Sequence, residues 1–521
     1  MRKIFILIGI TICANILSAQ VVTTKPVVPT LSKAIEVTFD ASKGTRGLMG
    51  YAGAVYVHTG VITNKSTGDN DWKHVVTKWE EDDSKFQLTN IGEDLWRFTI
   101  SPNIRSFYGV PNDEQVLKLA FVFRSSKIEG ASHLEGKGEG GEDILIDVSE
   151  DDFNLIMLSP KGNTVYAPGS SISISAAASE ICKLSLFSNE TPLKELAADT
   201  LIEYVMSSAP TGEYSIVAVA ELGGKVKADT VNVVVRAQTK LVSRPTFVQD
   251  YDGIYYHPND NTKMTLVLCA PQKDHVFVWG DFTDWKMSNE YQMMRDNDRF
   301  WITIENLTPG LEYAFQYVVD DSIYIADPYS EKVLDSWNDP YIPVSAYPNL
   351  KPFPKAKAKE GYASVIETGQ KPYNWVVKNF AAPRNEDLVI YELLLRDFLK
   401  AHDYATLMDT LTYLQRLGIN AIELLPINEF DGNESWGYNS AYYCSPDKYY
   451  GSAKSLKRFI DECHRRGIAV ILDIALNHSF GNSPTAKMYW DGSANKPMAN
   501  SPYHNRDPKH PFNVGEDFNH D

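Results

Sequence analysis

Asp387-Leu-Val-Ile-Tyr-Glu-Leu-Leu-Leu-Arg-Asp-Phe398 opens the stretch that decides the fold of this 521-residue chain. Its apolar run, Leu388 to Leu393, reads as a strand, and so does Ile419 to Leu425. Between them Leu407, Leu411, Leu414 and Leu417 recur at helical spacing, and Gly418 is suited to ending the helix. The pattern then repeats. Ser452 is a candidate N-cap, Leu456, Phe459, Ile460 and Cys463 form one apolar face, His464-Arg-Arg466 places cations where the helix dipole favours them, and Gly467 follows. Ile468 to Ala475 reads as a third strand. Strand, helix, strand, helix, strand is the opening of a parallel β/α barrel, and right-handed crossovers predict three strands side by side. Such barrels carry their sites at the C-terminal strand ends, which points to the loops after Leu425 and Ala475.

Upstream, the period is two rather than 3.6. From about Lys33 to Val148, Ile35–Phe39, Ala54–His58, Leu95–Ile100 and Leu117–Phe123 are short β-branched and aromatic runs between Gly, Asn and Asp turns. They predict a β-sandwich over 33–150. A second all-β unit, an immunoglobulin-like spacer, is expected over 152–238, with Ser171–Ser175 and Thr230–Arg236 as its clearest strands. A third sandwich is expected over 245–345, carrying Val276-Phe-Val-Trp-Gly-Asp-Phe-Thr-Asp-Trp285, Phe300–Ile304 and Tyr313–Val319. Residues 346–384, which include the Lys- and Pro-rich run Lys351–Lys359, read as a linker before a barrel segment at 385–521. The expected architecture is therefore three all-β domains followed by the first part of a (β/α)8 barrel.

Arg2 and Lys3 precede an apolar run to Leu17, and Leu17-Ser-Ala19 supplies small residues for cleavage, so residues 1–19 read as an export signal. The run is shorter than the ~20 apolar residues that span a bilayer, so no stable membrane insertion is expected. Export to the periplasm, the cell surface or the medium follows. A net charge of −17 argues against a nucleic-acid backbone or an anionic membrane as partner, both of which call for clustered Lys and Arg. Neutral sugars are compatible with it. Cys13 falls inside the signal, and Cys182, Cys269, Cys444 and Cys463 carry no CxxC spacing, so neither a disulfide framework nor a zinc site is indicated and each reads as a small buried apolar residue.

Three segments in order, Asp387–Phe398, Trp436-Gly-Tyr-Asn439 and Asp473-Ile-Ala-Leu-Asn-His478, resemble the opening of an α-amylase superfamily barrel of the pullulanase, neopullulanase or amylase type. The unit from Phe247 to Pro343 is similar to the β-sandwich that precedes the barrel in starch-debranching and glycogen-branching enzymes. The resemblance implies hydrolysis of α-glucosidic bonds in starch, glycogen or pullulan by a retaining mechanism. It leaves open α-1,4 and α-1,6 bonds, and hydrolysis and transfer. Tyr438 would stack on the sugar next to the scissile bond, His478 would hydrogen-bond one of its hydroxyls, Trp436 would line the same mouth, and Asn477 falls where many members supply a calcium ligand. A flat ring matches the apolar C–H face of glucose, which supports the role of Tyr438. Asp473 resembles a supporting aspartate, whereas Glu392, Arg396 and Glu423 read as structural ion partners.

In the family that the sequence resembles, the nucleophile and the acid/base, with a third aspartate that binds the distorted sugar, stand on the fourth, fifth and seventh strands. The resemblance gives this sequence no position to receive them, so no catalytic residue is expected here and the 521 residues alone are expected to be inactive. The alternative reading is a non-catalytic starch- or glycan-binding protein or an inactive fragment. Tyr56, His58, Trp72, Trp79, Trp96, Phe107 and Tyr108 make the first sandwich a candidate starch-binding module, while Trp279 and Trp285 are expected to pack.

Overall fold

A computed structural model describes residues 20–127, 132–248, 251–509 and 514–521. The expected signal at 1–19, with Cys13, lies outside the described residues. The chain is multidomain and mostly β, and forms two compact units: Met1–Thr164 with Gly169–Val235, and Val165–Pro168 with Arg236–Asp521.

In the first unit, Val22–Lys25, Ile35–Asp40, Leu95–Ile100 and Thr89–Gly92 pair in that order as an antiparallel sheet. A second sheet is built on Val55–Thr63 and Val116–Ser125. Period-two alternation turns Ile35, Val37 and Phe39 of one sheet and Val55, Val57, Phe121 and Phe123 of the other into one core. Phe39 and Phe123 stack across it with centroids 4.0 Å apart. Further on, Ile172–Ser188 shifts register between Ala177 and Cys182. Its first half thereby pairs with Leu155–Ser159 and its second with Gly212–Leu222. These strands are longer than the short runs read from the sequence.

In the second unit, Gly253–Tyr256, Met264–Cys269, Arg299–Ile304 and Met294–Asp296 form one antiparallel sheet. Val276–Gly280, Glu312–Val319, Tyr362–Glu367 and Val333–Asp335 form another. Trp279 and Trp285 are buried and meet edge-on at 5.6 Å, so both pack as expected. The strand Tyr362–Glu367 corrects the expected linker over 346–384. Ile366 is fully buried in the core with Leu266, Phe300 and Phe315. The Lys-rich run is pinned as well: Lys351 pairs with Asp281 at 3.0 Å, Lys357 with Asp284 at 2.8 Å, and the Lys359 N–H donates to the buried Gln316 side chain at 3.0 Å. Charge that reads as solvated from sequence is here spent on neighbouring carboxylates.

The remainder of that stretch forms a strap. Asp461, buried on the helix Ala453–Arg465, accepts the backbone N–H groups of Val376 and Val377, and the Phe380 ring stacks on His464 at 3.9 Å.

Three parallel strands follow, β1 (Ile390–Leu393), β2 (Ala421–Leu424) and β3 (Ala469–Leu472), adjacent in that order as the alternating periods predict. Helices α1 (Tyr404–Arg416) and α2 (Ala453–Arg465) pack against them through Leu407, Leu411, Leu414, Leu456, Phe459 and Cys463. Asp403 and Ser452 cap the helix N-termini by accepting from the N–H groups of Thr406 (2.7 Å) and Ser455 (3.2 Å). On the face turned from the helices, register sets Glu392 beside Glu423 beside Ile471. At the β3 edge, Leu472 is 45% exposed, while Val470 and Ile471 are partly covered.

The chain after β3 returns to the preceding sheets. Met488 and Tyr489 lie fully buried in the core of Met264, Phe300 and Phe315, and the Tyr503 hydroxyl donates to the Cys269 carbonyl at 2.7 Å. Cys182 and Cys463 are buried as expected, but Cys444 is exposed: it occupies the outward position of a hairpin strand between the partly buried Tyr443 and the buried Ser445. Among the described residues no helix is long and apolar enough to cross a membrane.

Candidate functional site at the parallel strand ends

The loop after β2 is an antiparallel hairpin of Asn428–Phe430 with Ser440–Pro446, and its tip carries Trp436, Gly437, Tyr438 and Asn439. Gly437 has φ of +92°, and a Cβ there would stand 2.1 Å from the carbonyl oxygen of Pro426. Only glycine allows this approach, which folds the tip back onto the end of β2. Asn439 braces it by donating to the Asp431 carbonyl at 2.9 Å.

Tyr438 and His478 meet at this mouth. The Nε2 of His478 donates to the Tyr438 carbonyl at 2.8 Å. Because a carbonyl only accepts, Nε2 carries the hydrogen, and Nδ1 is a buried nitrogen without a partner among the described residues. His478 is only 6% exposed, so the nitrogen that the sequence reading leaves for a sugar hydroxyl is covered in this arrangement. The Tyr438 hydroxyl donates to Asp473 at the end of β3. That bond, burial and the carboxylates of Asp473, Glu392 and Glu423 push its phenol up to about 12. Tyr438 is 38% exposed and Trp436 58%, so the mouth presents two aromatic side chains to solvent above a carboxylate and an imidazole.

Glu392 and Glu423 are not ion partners. Among the described residues neither meets a cation, because the parallel register sets them side by side on the face away from the helices. Arg396 instead pairs with its neighbour Asp397 at 2.8 Å. Asn477 is exposed, with its carbonyl accepting from the Phe518 N–H at 3.0 Å. Calcium takes six to eight oxygen ligands, and among the described residues no three His, Cys, Asp or Glu side chains gather to hold a metal.

The aromatic set of the first unit divides. Tyr56, Trp96 and Tyr108 are buried and Phe107 packs against the core. His58, Trp72 and Trp79 cluster half-buried, with His58 5.7 Å from Trp72 and edge-on to Trp79 at 5.2 Å.

Beneath the hairpin lies a charged group that the sequence reading missed. Lys448, 3% exposed, meets Glu429 and Asp339, the latter at 3.2 Å, with Asp447 buried beside them. Burial raises the carboxyls of Glu429, Asp339 and Asp447, the last to about 7, against the pull of the Lys448 ammonium. Asp339 belongs to the turn after Val333–Asp335, so the pair ties the hairpin to the preceding sheet. Nothing in the spacing of a lone Lys and Glu marks them as buried.

Residues 385–521 match the family "Alpha amylase, catalytic domain". The chain is 31% identical over 222 residues to a malto-oligosyltrehalose trehalohydrolase of Saccharolobus solfataricus, covering 42% of this chain and 34% of that one. It is 28% identical over 240 residues to the 1,4-alpha-glucan branching enzyme GlgB of Clostridium perfringens, covering 43% of this chain and 33% of that one. The chain thus spans about a third of the length of these curated relatives. Among solved structures, pullulanase type I from Bacillus subtilis complexed with maltose aligns over 69% of this chain and 52% of that one, at 19% identity and a TM-score of 0.37. The segment that holds the three parallel strands and the Tyr438 mouth is thus similar to the catalytic domain of the α-amylase superfamily of glycoside hydrolases.

Proposed function

We propose that the protein is an exported glycoside hydrolase of α-glucans of the starch, glycogen or pullulan type, working by retention. The observation that carries this reading is the mouth itself. Gly437 folds the hairpin tip onto Pro426, and Tyr438, Asp473 and His478 then converge at the C-terminal ends of parallel strands, where barrels of this kind do their chemistry. Tyr438 and Trp436 offer ring faces to sugar, Asp473 holds the Tyr438 ring in place, and His478 holds its backbone. Relatives named for malto-oligosyltrehalose and 1,4-alpha-glucan support the substrate class.

The β-sandwich domains at 33–150, 152–238 and 245–345 belong to the proposal as carriers of the barrel, the first with His58, Trp72 and Trp79 as its sugar-facing cluster. Retention needs a nucleophile and an acid/base about 5 Å apart. The resemblance assigns neither role to a residue of this sequence, so what the proposal gives these residues is their part in holding the glucan. Calcium at Asn477, which the resemblance implies, belongs to the proposal as well.

Affinity electrophoresis of the 521-residue protein in gels with and without amylopectin tests the reading. Retardation in the amylopectin gel, reduced by Tyr438→Ala, is the expected result. Equal mobility in both gels at every loading would dismiss it. Reducing-end release from starch, pullulan and glycogen checks the turnover claim separately.

A further inference from the structure

Trp337 lies outside the mouth, between the strand Val333–Asp335 and the turn Asp339–Tyr341. It is 41% exposed, yet its ring is fixed. The backbone N–H donates to Asp335 at 2.8 Å, the indole N–H donates to Glu360 at 2.7 Å, and the ring stands edge-on to the buried Tyr362 with centroids 6.2 Å apart. An aromatic side chain held in one orientation with part of its surface in water has little rotamer freedom left to lose when a ligand covers it.

Lys487 stands beside it. A Cβ on Gly361 would lie 3.8 Å from both Lys487 Nζ and Trp337 Cη2, and Gly361 has φ of +125°, a conformation that keeps side chains away. Among the described residues the Lys487 ammonium has neither an ion-pair nor a hydrogen-bond partner. Burial lowers its pKa, while Asp431 and Asp335 act in the opposite direction. An ammonium short of acceptors, a carboxylate with one oxygen already on the indole and a fixed ring are three complementary groups in one place. The surrounding carboxylates of Glu360, Asp335 and Asp431 disfavour an anion. A neutral polyhydroxyl ring with an apolar C–H face satisfies all three: the ring on Trp337, one hydroxyl oxygen accepting from Lys487, another hydroxyl donating to Glu360.

The place is continuous with the mouth. Asn433, three residues before Trp436, donates to the Asn338 carbonyl at 2.8 Å, and the Tyr362 hydroxyl donates to Asp431 at 3.3 Å. We infer that Trp337, Glu360 and Lys487 form a second glucan-binding subsite, which engages a part of the same α-glucan that lies off the Tyr438 mouth. The inference rests on the α-glucan reading above.

The test is calorimetric titration of maltoheptaose into the 521-residue protein and its Trp337→Ala, Lys487→Met and Trp436→Ala variants, with each melt recorded. Trp337→Ala is expected to weaken binding about tenfold and Lys487→Met about threefold, with Trp337→Phe keeping most of the affinity. If Trp337→Ala fails to fold, Lys487→Met decides, since its side chain is outside the core clusters. Wild-type affinity in Trp337→Ala and Lys487→Met beside a loss in Trp436→Ala would overturn the subsite and leave the α-glucan reading standing. A wild-type protein that binds no maltoheptaose would overturn both.

Discussion

The imidazole of His478 holds the backbone of Tyr438, not its ring: Nε2 donates to the Tyr438 carbonyl at 2.8 Å, while the Tyr438 hydroxyl reaches Asp473. Tyr438 is thereby held at its backbone and at its hydroxyl. Replacing His478 by Ala should loosen the hairpin tip and cost about 1–3 kcal/mol, the range for removing one partner of a buried hydrogen bond. Amide exchange at Gly437 and Tyr438 should speed up while the amides of β1 stay protected. Unchanged exchange at the tip would show that His478 does not hold it.

Asp473 should also govern the ionisation of Tyr438. Its hydrogen bond, then burial, then neighbouring negative charge all oppose the phenolate, which places the phenol near 12. In Asp473→Asn the value should fall towards the ordinary tyrosine range, followed through the ring-carbon signal of Tyr438 by NMR. A titration that does not move would assign the shift to burial instead.

Removing the Lys448 ammonium should be costly. Lys448→Met leaves Glu429 and Asp339 buried without their cation, and about 3–5 kcal/mol of stability should go. Lys448→Met combined with Glu429→Gln should recover part of it, since fewer uncompensated charges remain. Denaturant midpoints of the two variants give the comparison, and equal losses would mean that the pair is not coupled.

Two buried groups should pull stability in opposite directions between about pH 4 and 6.5. Burial holds His504 down to about 4, so as pH falls from its unfolded value near 6.5 the unfolded chain takes up a proton that the folded ring refuses, and stability is lost on acidification. Burial raises Asp327 to about 6, even though Tyr317 and the Tyr329 N–H donate to it. Its contribution is complete below its unfolded value near 3.9 and is lost as pH rises through 6. His504→Gln should therefore flatten the acid-side loss, and Asp327→Asn the loss on raising pH. Urea midpoints across this window would refute the assignment if both variants tracked the wild type.

The strap over α2 depends on Asp461, which accepts the N–H groups of Val376 (2.8 Å) and Val377 (3.0 Å). Asp461→Ala orphans both donors and should cost about 1–3 kcal/mol. Limited proteolysis should then cut within 373–380 before any other described segment. Cleavage at the wild-type rate would mean that the Phe380–His464 stack alone retains it.

The parallel strands and their helices were legible because each signal was local: a change of period from two to 3.6, a cap at Ser452, and glycines at 418 and 467 with positive φ. Gly437 was visible as part of a motif, but its reason, contact with Pro426, is tertiary. The strand Tyr362–Glu367 escaped because it follows a run of Lys and Pro and pairs with Glu312–Val319, far back in the chain. Lys448 and Glu429 escaped for a related reason. Each residue type is read as surface-exposed unless its partner is known, and no local pattern names that partner. His478 was expected at the end of the third strand, but it lies past that strand in a short pairing with Asp517, and which of its nitrogens is engaged, and by what, depends on the hairpin's fold.

Met488 and Tyr489 complete a core whose other members, from Met264 to Ile366, are made well before them. On the ribosome this imposes an order. The sheets of 253–367 leave the exit tunnel first and wait, with the places of those two side chains open, until the helix Pro484–Met488 has been synthesised. A nascent chain halted in the strap would thus carry an unfinished core until Tyr489 emerges.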